Sequence, residues 1–352
     1  MNSVGLLSLA TALPPHIVDQ DKAKAKAREL FGGRKALFDR LSGVFDNAGI
    51  DQRHTVAPID WYAGNHGWKE RNRLYLEASD ALFLEAAEKA IAGAGLTPAD
   101  IDGVVTVSTT GIATPSLDAR NGPALGLRHD VRRIPVFGLG CAGGVTGLAA
   151  AARFAAAQPG ARWLFVTIET CSISIRLDSD DPAAIVATAI FGDGAAACVV
   201  STEGQAIAGI AGSGERMWPD TLGIMGWRVE DPGFAVVFDR AIPPFIEAQL
   251  AGAVGEILDG IGVERNSIGR FCCHPGGVKV IDAIESAMEF PVGTLDLERE
   301  VLRDCGNMSA PTVLFVLERL MTDRPASGIA LAFGPGLAME GLRFGWTNGD
   351  GG

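Results

Sequence analysis

At 352 residues, 47% hydrophobic and 20% charged, the chain has a globular composition, long enough for two core-bearing units or one duplicated unit. Its formal charge of −12 argues against a nucleic-acid partner, because phosphate backbones require a basic face. Six cysteines, at 141, 171, 198, 272, 273 and 305, form no C-x-x-C pair and do not cluster with the five histidines; this excludes a disulfide framework or zinc site, predicts that no metal is bound, and fits a reducing, cytoplasmic setting.

The opening residues Met1 to Ala10 predict a strand ending before Pro14-Pro15, and the N-terminus lacks the basic start of a secretory signal. Residues 21–48, rich in Lys, Arg, Ala, Leu and Phe, predict helix. Arg34, Lys35 and Arg40 make this region locally basic, either a contact for a ligand phosphate or a solvated helix face. Arg71 to Ala94 predicts a second helix, closed by Gly93-Ala94-Gly95 and followed by a strand over Ile101–Val107. Ile134 to Ala152 carries no charge, yet Pro135 and the glycines divide it into a buried strand, a turn and a helix, so no membrane span is expected.

Cys141 stands at that turn, and an alanine-rich helix continues to about Ala157. With the helix starting at Cys141, its thiol meets unpaired N–H groups and the positive end of the helix dipole, which predicts a pKa lowered toward thiolate and a nucleophilic role. A small buried core cysteine is the alternative.

The second half repeats this grammar. Helix, glycine-bearing break and strand recur as Leu250–Leu258, Gly260-Ile261-Gly262 and Ile268–Cys273, an offset of 268 − 101 = 167. Cys141-Ala-Gly-Gly-Val-Thr-Gly-Leu lies opposite Asn307-Met-Ser-Ala-Pro-Thr-Val-Leu, an offset of 307 − 141 = 166, and both segments are expected to open a helix. Phe191-Gly-Asp-Gly and Phe333-Gly-Pro-Gly are 333 − 191 = 142 apart, which implies 166 − 142 = 24 extra residues between Ala157 and Ile190. The pattern predicts two duplicated α/β halves, residues 1–204 and 205–352, with mixed sheets covered by helices and with Cys141 and Asn307 brought together near a pseudo-two-fold axis.

His274, between the strand Phe271-Cys272-Cys273 and Pro275-Gly276-Gly277, is positioned to face a cleft and to form a Cys–His pair in which imidazolium stabilises thiolate. Asn307 is either a helix N-cap or a donor to a thioester oxygen that becomes an enolate or oxyanion.

Together, Gly140-Cys141-Ala-Gly-Gly, Phe191-Gly-Asp-Gly, Cys273-His274-Pro-Gly-Gly, Gly306-Asn307-Met-Ser and Phe333-Gly-Pro-Gly336 resemble the type III polyketide synthases, the chalcone synthase-like family with the thiolase fold, over essentially the whole chain. The resemblance implies a homodimer with a Cys141–His274–Asn307 triad, malonyl-CoA and an acyl-CoA starter as substrates, no metal or redox cofactor and no carrier protein. It places Phe191 where the CoA tunnel meets the cavity and Thr110, Thr114, Cys171, Ser174 and Ser309 along the cavity, with Thr114 reaching across the dimer. Gly336 belongs to the loop closing the site. Arg34, Lys35, Arg40 and Lys279 are candidate CoA contacts. Val236 stands where plant members carry a second phenylalanine, and Ala332 replaces the first glycine of the family loop. The small side chains suit an alkyl starter, leading to an alkylpyrone or alkylresorcinol.

Two other readings stay open on the residues. Gly138-x-Gly140-x-x-Gly143 spells the dinucleotide fingerprint of an NAD-binding oxidoreductase, although the acidic ribose ligand expected about 20 residues on is missing and Glu169 comes later. A ketoacyl synthase of fatty-acid initiation shares Cys-His-Asn but takes malonyl from a carrier protein and extends once.

Overall fold

An apolar, proline-free sequence makes β1 (Val4–Ala12) the middle strand of the sheet in the computed structural model, which describes residues 4–31, 35–176 and 181–346. There follow β2 (His16–Asp19), α1 (Gln20–Leu30), α2 (Lys35–Leu41), α3 (Gly43–Asp46) and β3 (Gln52–Thr55), so the helical stretch expected over 21–48 contains three separate helices. The long α4 (Trp68–Gly93) turns through Gly95 at φ +68° into β4 (Gly103–Val107). Next are α5 (Leu117–Leu125), β5 (Arg132–Val136), α6 (Gly143–Ala157), β6 (Trp163–Thr170), α7 (Pro182–Ile190) and β7 (Asp193–Ser201). The second half supplies β8 (Ala208–Met217), β9 (Met225–Glu230), β10 (Gly233–Phe238), α8 (Ile242–Gly260), β11 (Arg270–Cys273), α9 (Val278–Ala287), α10 (Asp296–Cys305), α11 (Thr312–Arg319), β12 (Gly328–Gly334) and β13 (Ala338–Trp346).

The nine-stranded sheet has the order β11-β12-β13-β8-β1-β7-β6-β4-β5. Its two arms have matching sense. β1–β7–β6 and β8–β13–β12 are antiparallel steps, and β6–β4 and β12–β11 are parallel steps. The surplus residues of the first arm lie in the β6–β7 connection, which carries α7, whereas β12 reaches β13 through Pro335-Gly336-Leu337 alone. Strand alternation splits the core: Val104 faces α4, while Val105 and Val107 join Ala330 and Ala332 of the other arm around α6 and α11. Those two helices are thus held between the arms.

Their closeness depends on glycine. A Cβ on Gly144 would lie 2.2 Å from the Ala310 carbonyl oxygen, and one on Gly143 would lie 2.6 Å from Val107 Cγ1. β5 departs from expectation: it is an edge strand bonded only to β4, with Pro135 exposed and Ile134 and Val136 half-buried rather than buried. Position in the sheet, not local hydrophobicity, sets its burial, and an edge tolerates proline. Among the described residues no helix is long and apolar enough to cross a membrane.

Gly144→Ala is expected to destabilise the chain by about 1–3 kcal/mol, since backbone must move to admit the methyl. A lower urea midpoint at unchanged slope is the predicted result.

Candidate active site

Gly138 (φ +99°) and Gly140 (φ +47°) bend the chain after β5, and a tight helical turn over Gly140–Ala142 carries Cys141 into α6. The loop after β12 braces this turn: a Cβ on Gly334 would meet the Leu139 carbonyl oxygen at 2.6 Å and Ala142 Cβ at 2.7 Å, and one on Gly140 would meet Pro335 Cδ at 2.6 Å. Cys141 is 9% exposed. Burial pushes its thiol up to about 11, against the Ser309 hydroxyl, which favours the thiolate. This reverses the expected lowering, because desolvation of the anion outweighs the local stabilisation.

The other arm brings His274 and Asn307. The His274 N–H donates to the Leu331 carbonyl at 2.8 Å, while both ring nitrogens are buried with no hydrogen-bond partner among the described residues. Burial lowers the ring to about 3, so desolvation favours the neutral imidazole as it favours the Cys141 thiol, and both directions run against the expected ion pair. Asn307 is no helix cap, since α11 starts at Thr312. Instead it bridges to the α7–β7 connection: its N–H donates to the Ile190 carbonyl at 2.8 Å, and its carbonyl accepts from the Gly192 N–H at 3.0 Å. Its Oδ1 accepts from the Ser309 N–H at 2.8 Å, with Ser309 at φ +58°, and its Nδ2 donates to the Gly276 carbonyl at 3.0 Å. Gly276 in turn lies against the His274 ring, a Cβ there being 3.8 Å from Cδ2. A run of contacts therefore links Cys141 through Ser309 and Asn307 to the loop of His274.

Phe191, 3% exposed, has ring neighbours Phe238 at 5.6 Å and Trp227 at 6.0 Å. Val236 is buried on β10 opposite Trp227, so the aromatic wall comes from Trp227, whose role the sequence did not signal. Thr110 and Ser174 line a cavity with Trp68, Arg71, Ile173 and Phe234. Cys171 is fully buried behind them, its carbonyl accepting from Ser174 Oγ at 2.6 Å. Thr114 is exposed on the β4–α5 loop and does not line this cavity. Gly336, at φ +67°, accepts from Thr221 Oγ1 at 2.7 Å and shapes the bracing loop. Arg34 lies outside the described residues, as does the Lys35 side chain. Arg40 is exposed on α2, and Lys279 is exposed on the first turn of α9, just past the His274 loop.

Sequence reasoning gave Glu169 no part in this site. It is fully buried and accepts from the Thr109 N–H at 2.9 Å and Thr110 Oγ1 at 2.8 Å. Thr109 Oγ1 accepts from the Gly140 N–H at 3.3 Å, so this carboxyl is tied to the turn bearing Cys141. A single acid in the otherwise uncharged strand Trp163–Thr170 was the available signal.

Comparison with known proteins decides the family. The chalcone and stilbene synthase N-terminal domain matches residues 2–204, and the C-terminal domain matches residues 210–345. The chain is a member of the chalcone and stilbene synthase family. A 1,3,6,8-tetrahydroxynaphthalene synthase of Streptomyces peucetius subsp. caesius is 39% identical over 348 residues, covering 96% of this chain and 91% of the relative. An alpha-pyrone synthesis polyketide synthase-like protein of Mycobacterium tuberculosis is 28% identical over 96% of this chain and 89% of its own. The crystal structure of tetrahydroxynaphthalene synthase from Streptomyces coelicolor superposes with a TM-score of 0.92 at 27% identity, covering 98% of this chain and 99% of that one.

This type III polyketide synthase has the thiolase-like fold and is an acyltransferase that condenses malonyl-CoA units iteratively. The match favours that reading over a single-extension ketoacyl synthase or an oxidoreductase. The glycines of the dinucleotide-like motif have another use here: they form the turn at Cys141, and Pro335 occupies the approach to Gly140, the second of them, that a pyrophosphate would need.

Burial raises Glu169 to about 8 from an ordinary 4.5, so the folded state holds a proton that the unfolded chain releases. The resulting stability is present below about pH 4.5 and is lost as pH rises toward 8. Glu169→Gln is expected to gain thermal stability over the parent across that interval and to level off above it. Melting curves at pH 5, 6.5 and 8 check this; a constant difference would contradict it.

Proposed function

We propose that Cys141 is the acyl-carrying nucleophile and that His274 and Asn307 bind the thioester oxygen of malonyl-CoA. The observation carrying this reading is the pair of buried His274 ring nitrogens that have no hydrogen-bond partner among the described residues. A buried polar group without a partner costs free energy that a thioester oxygen would offset. In the loading step the thiol proton passes to the imidazole as sulfur attacks the starter carbonyl, and CoA leaves protonated. Malonyl-CoA then loses CO2; the electron pair of the broken C–C bond forms an enolate whose oxygen receives hydrogen bonds from His274 Nε2–H and Asn307 Nδ2–H. For Asn307 this means exchanging its Gly276 acceptor for substrate. The enolate carbon attacks the acyl group, sulfur is released, and the lengthened chain returns to Cys141.

The cavity beside Thr110 and Ser174 is walled by the bulky Trp68 and Phe234, which supports a short starter. With the likeness to a tetrahydroxynaphthalene synthase, we assign malonyl-CoA as both starter and extender and an aromatic polyketide as product. An alkyl starter giving an alkylpyrone or alkylresorcinol is the second reading, favoured by a cavity whose wall is largely apolar, with Val18, Ala27, Leu30, Ile59 and Ile175, and which Arg53 and Thr188 also line. Arg34, Lys35, Arg40 and Lys279 are assigned to the CoA phosphates, and the halves divide at 204/205. The enzyme works as a cytoplasmic homodimer without carrier protein or added cofactor. The half-exposed Phe137, directly after edge strand β5, and Ile112 on the β4–α5 loop, 59% and 51% accessible, support a partner there, with Thr114 reaching across.

Mass analysis of products from malonyl-CoA alone, and from malonyl-CoA with C2 to C16 acyl-CoAs, tests the starter. A malonyl-only product unaffected by acyl-CoAs is expected; dependence on a long acyl-CoA would establish the second reading instead. Asn307→Ala should slow CO2 release from malonyl-CoA about a hundredfold or more, and an unchanged rate would remove Asn307 from the mechanism.

A further inference from the structure

Arg53, on β3, is 2% exposed, and a buried guanidinium needs a reason to be kept. One arm, Nη1, donates to the Thr188 carbonyl at 2.6 Å and the Phe191 carbonyl at 3.4 Å; the other, Nη2, donates to Gln20 Oε1. Gln20 is itself fixed by donating to the Phe45 and Ala189 carbonyls, each at 3.1 Å. The stem of the same arginine underlies both segments of the inter-arm bridge: a Cβ on Gly192 would lie 3.5 Å from Arg53 Cβ, and one on Gly306 would lie 3.4 Å from it. Those glycines flank Phe191 and Asn307, which pair as an isolated parallel bridge. One side chain thus holds the end of α7 by its carbonyls and supports the segment entering Asn307. A planar fork reaching several acceptors does this; the single ammonium of lysine does not reproduce it.

We propose that Arg53 is a positioning residue: it fixes the Ile190–Gly192 segment against Asn307, so that the carboxamide is aimed at the malonyl thioester oxygen. This rests on the role given to Asn307 above. Its function is exerted through Asn307 and Phe191.

Two readouts separate positioning from general support: CO2 release from malonyl-CoA, which uses Asn307, and alkylation of Cys141 by iodoacetamide, which does not. Arg53→Lys is expected to lower the decarboxylation kcat tenfold or more, with KM within threefold and the alkylation rate within twofold of the parent. Gln20→Met, which removes the side-chain acceptor of Arg53 together with the donor to the Phe45 and Ala189 carbonyls while leaving Arg53 itself in place, is expected to lower the same kcat three- to tenfold. Unchanged decarboxylation in folded Arg53→Lys, or a parallel fall in alkylation, would overturn the proposal. If Arg53→Lys fails to fold, Gln20→Met decides by the same criteria; failure of both to fold would assign the arginine to core support alone and overturn it too. Asn307→Ala is run alongside: full decarboxylation there would sink the role of Asn307 itself, whatever the Arg53 variants do.

Discussion

The site depends on backbone meeting backbone across the two arms of the sheet. Gly144 approaches the Ala310 carbonyl, Gly334 approaches that of Leu139, and Gly192 approaches that of Cys305, each so closely that a methyl group would collide at 2.2 to 2.6 Å. Two further main-chain hydrogen bonds join Asn307 to Ile190 and Gly192. Main chain has few soft torsions and no rotamers, so distances set this way vary little. The relation of Cys141 to Asn307 is therefore a property of the fold, with side chains left to do chemistry.

Burial then decides the electrostatics. Desolvation favours the protonated thiol and the neutral imidazole, and Glu169 is pushed the same way. A site with little fixed charge and little water gives strong interactions to charge that appears during reaction. An enolate oxygen facing preorganised donors is stabilised there without solvent reorganisation. The same dryness disfavours a standing thiolate, so deprotonation of Cys141 is best coupled to attack on the starter.

Much of this was legible in the residues. Glycine-punctuated turns marked Cys141, His274 and Asn307, and the echo between halves anticipated the meeting of α6 with the segment before α11. What failed was whatever depended on distant neighbours. The apolar run at Ile134 gave no sign that its strand would be last in the sheet. The start of α6 predicted an anion-friendly thiol because the dipole is local, whereas the burial that overrides it is assembled from the other arm. The helix-cap alternative for Asn307 stayed open because the sequence does not show the chain pausing to bridge Phe191 before α11 begins. Arg53 sits in the polar run Asp51-Gln-Arg-His-Thr55, which has the composition of a surface, and only the packing of α7 and the Asn307 segment around it makes it internal.

The central claim is that a growing acyl chain is carried on the sulfur of Cys141. Rapid acid quench of the enzyme during turnover with malonyl-CoA, followed by peptide mass analysis of all six cysteines, tests it most directly. Thioester adducts stepped by acetate units on the Cys141 peptide, and on no other, are predicted. Adducts on Cys171 or another cysteine, with Cys141 unmodified throughout turnover, would contradict the account.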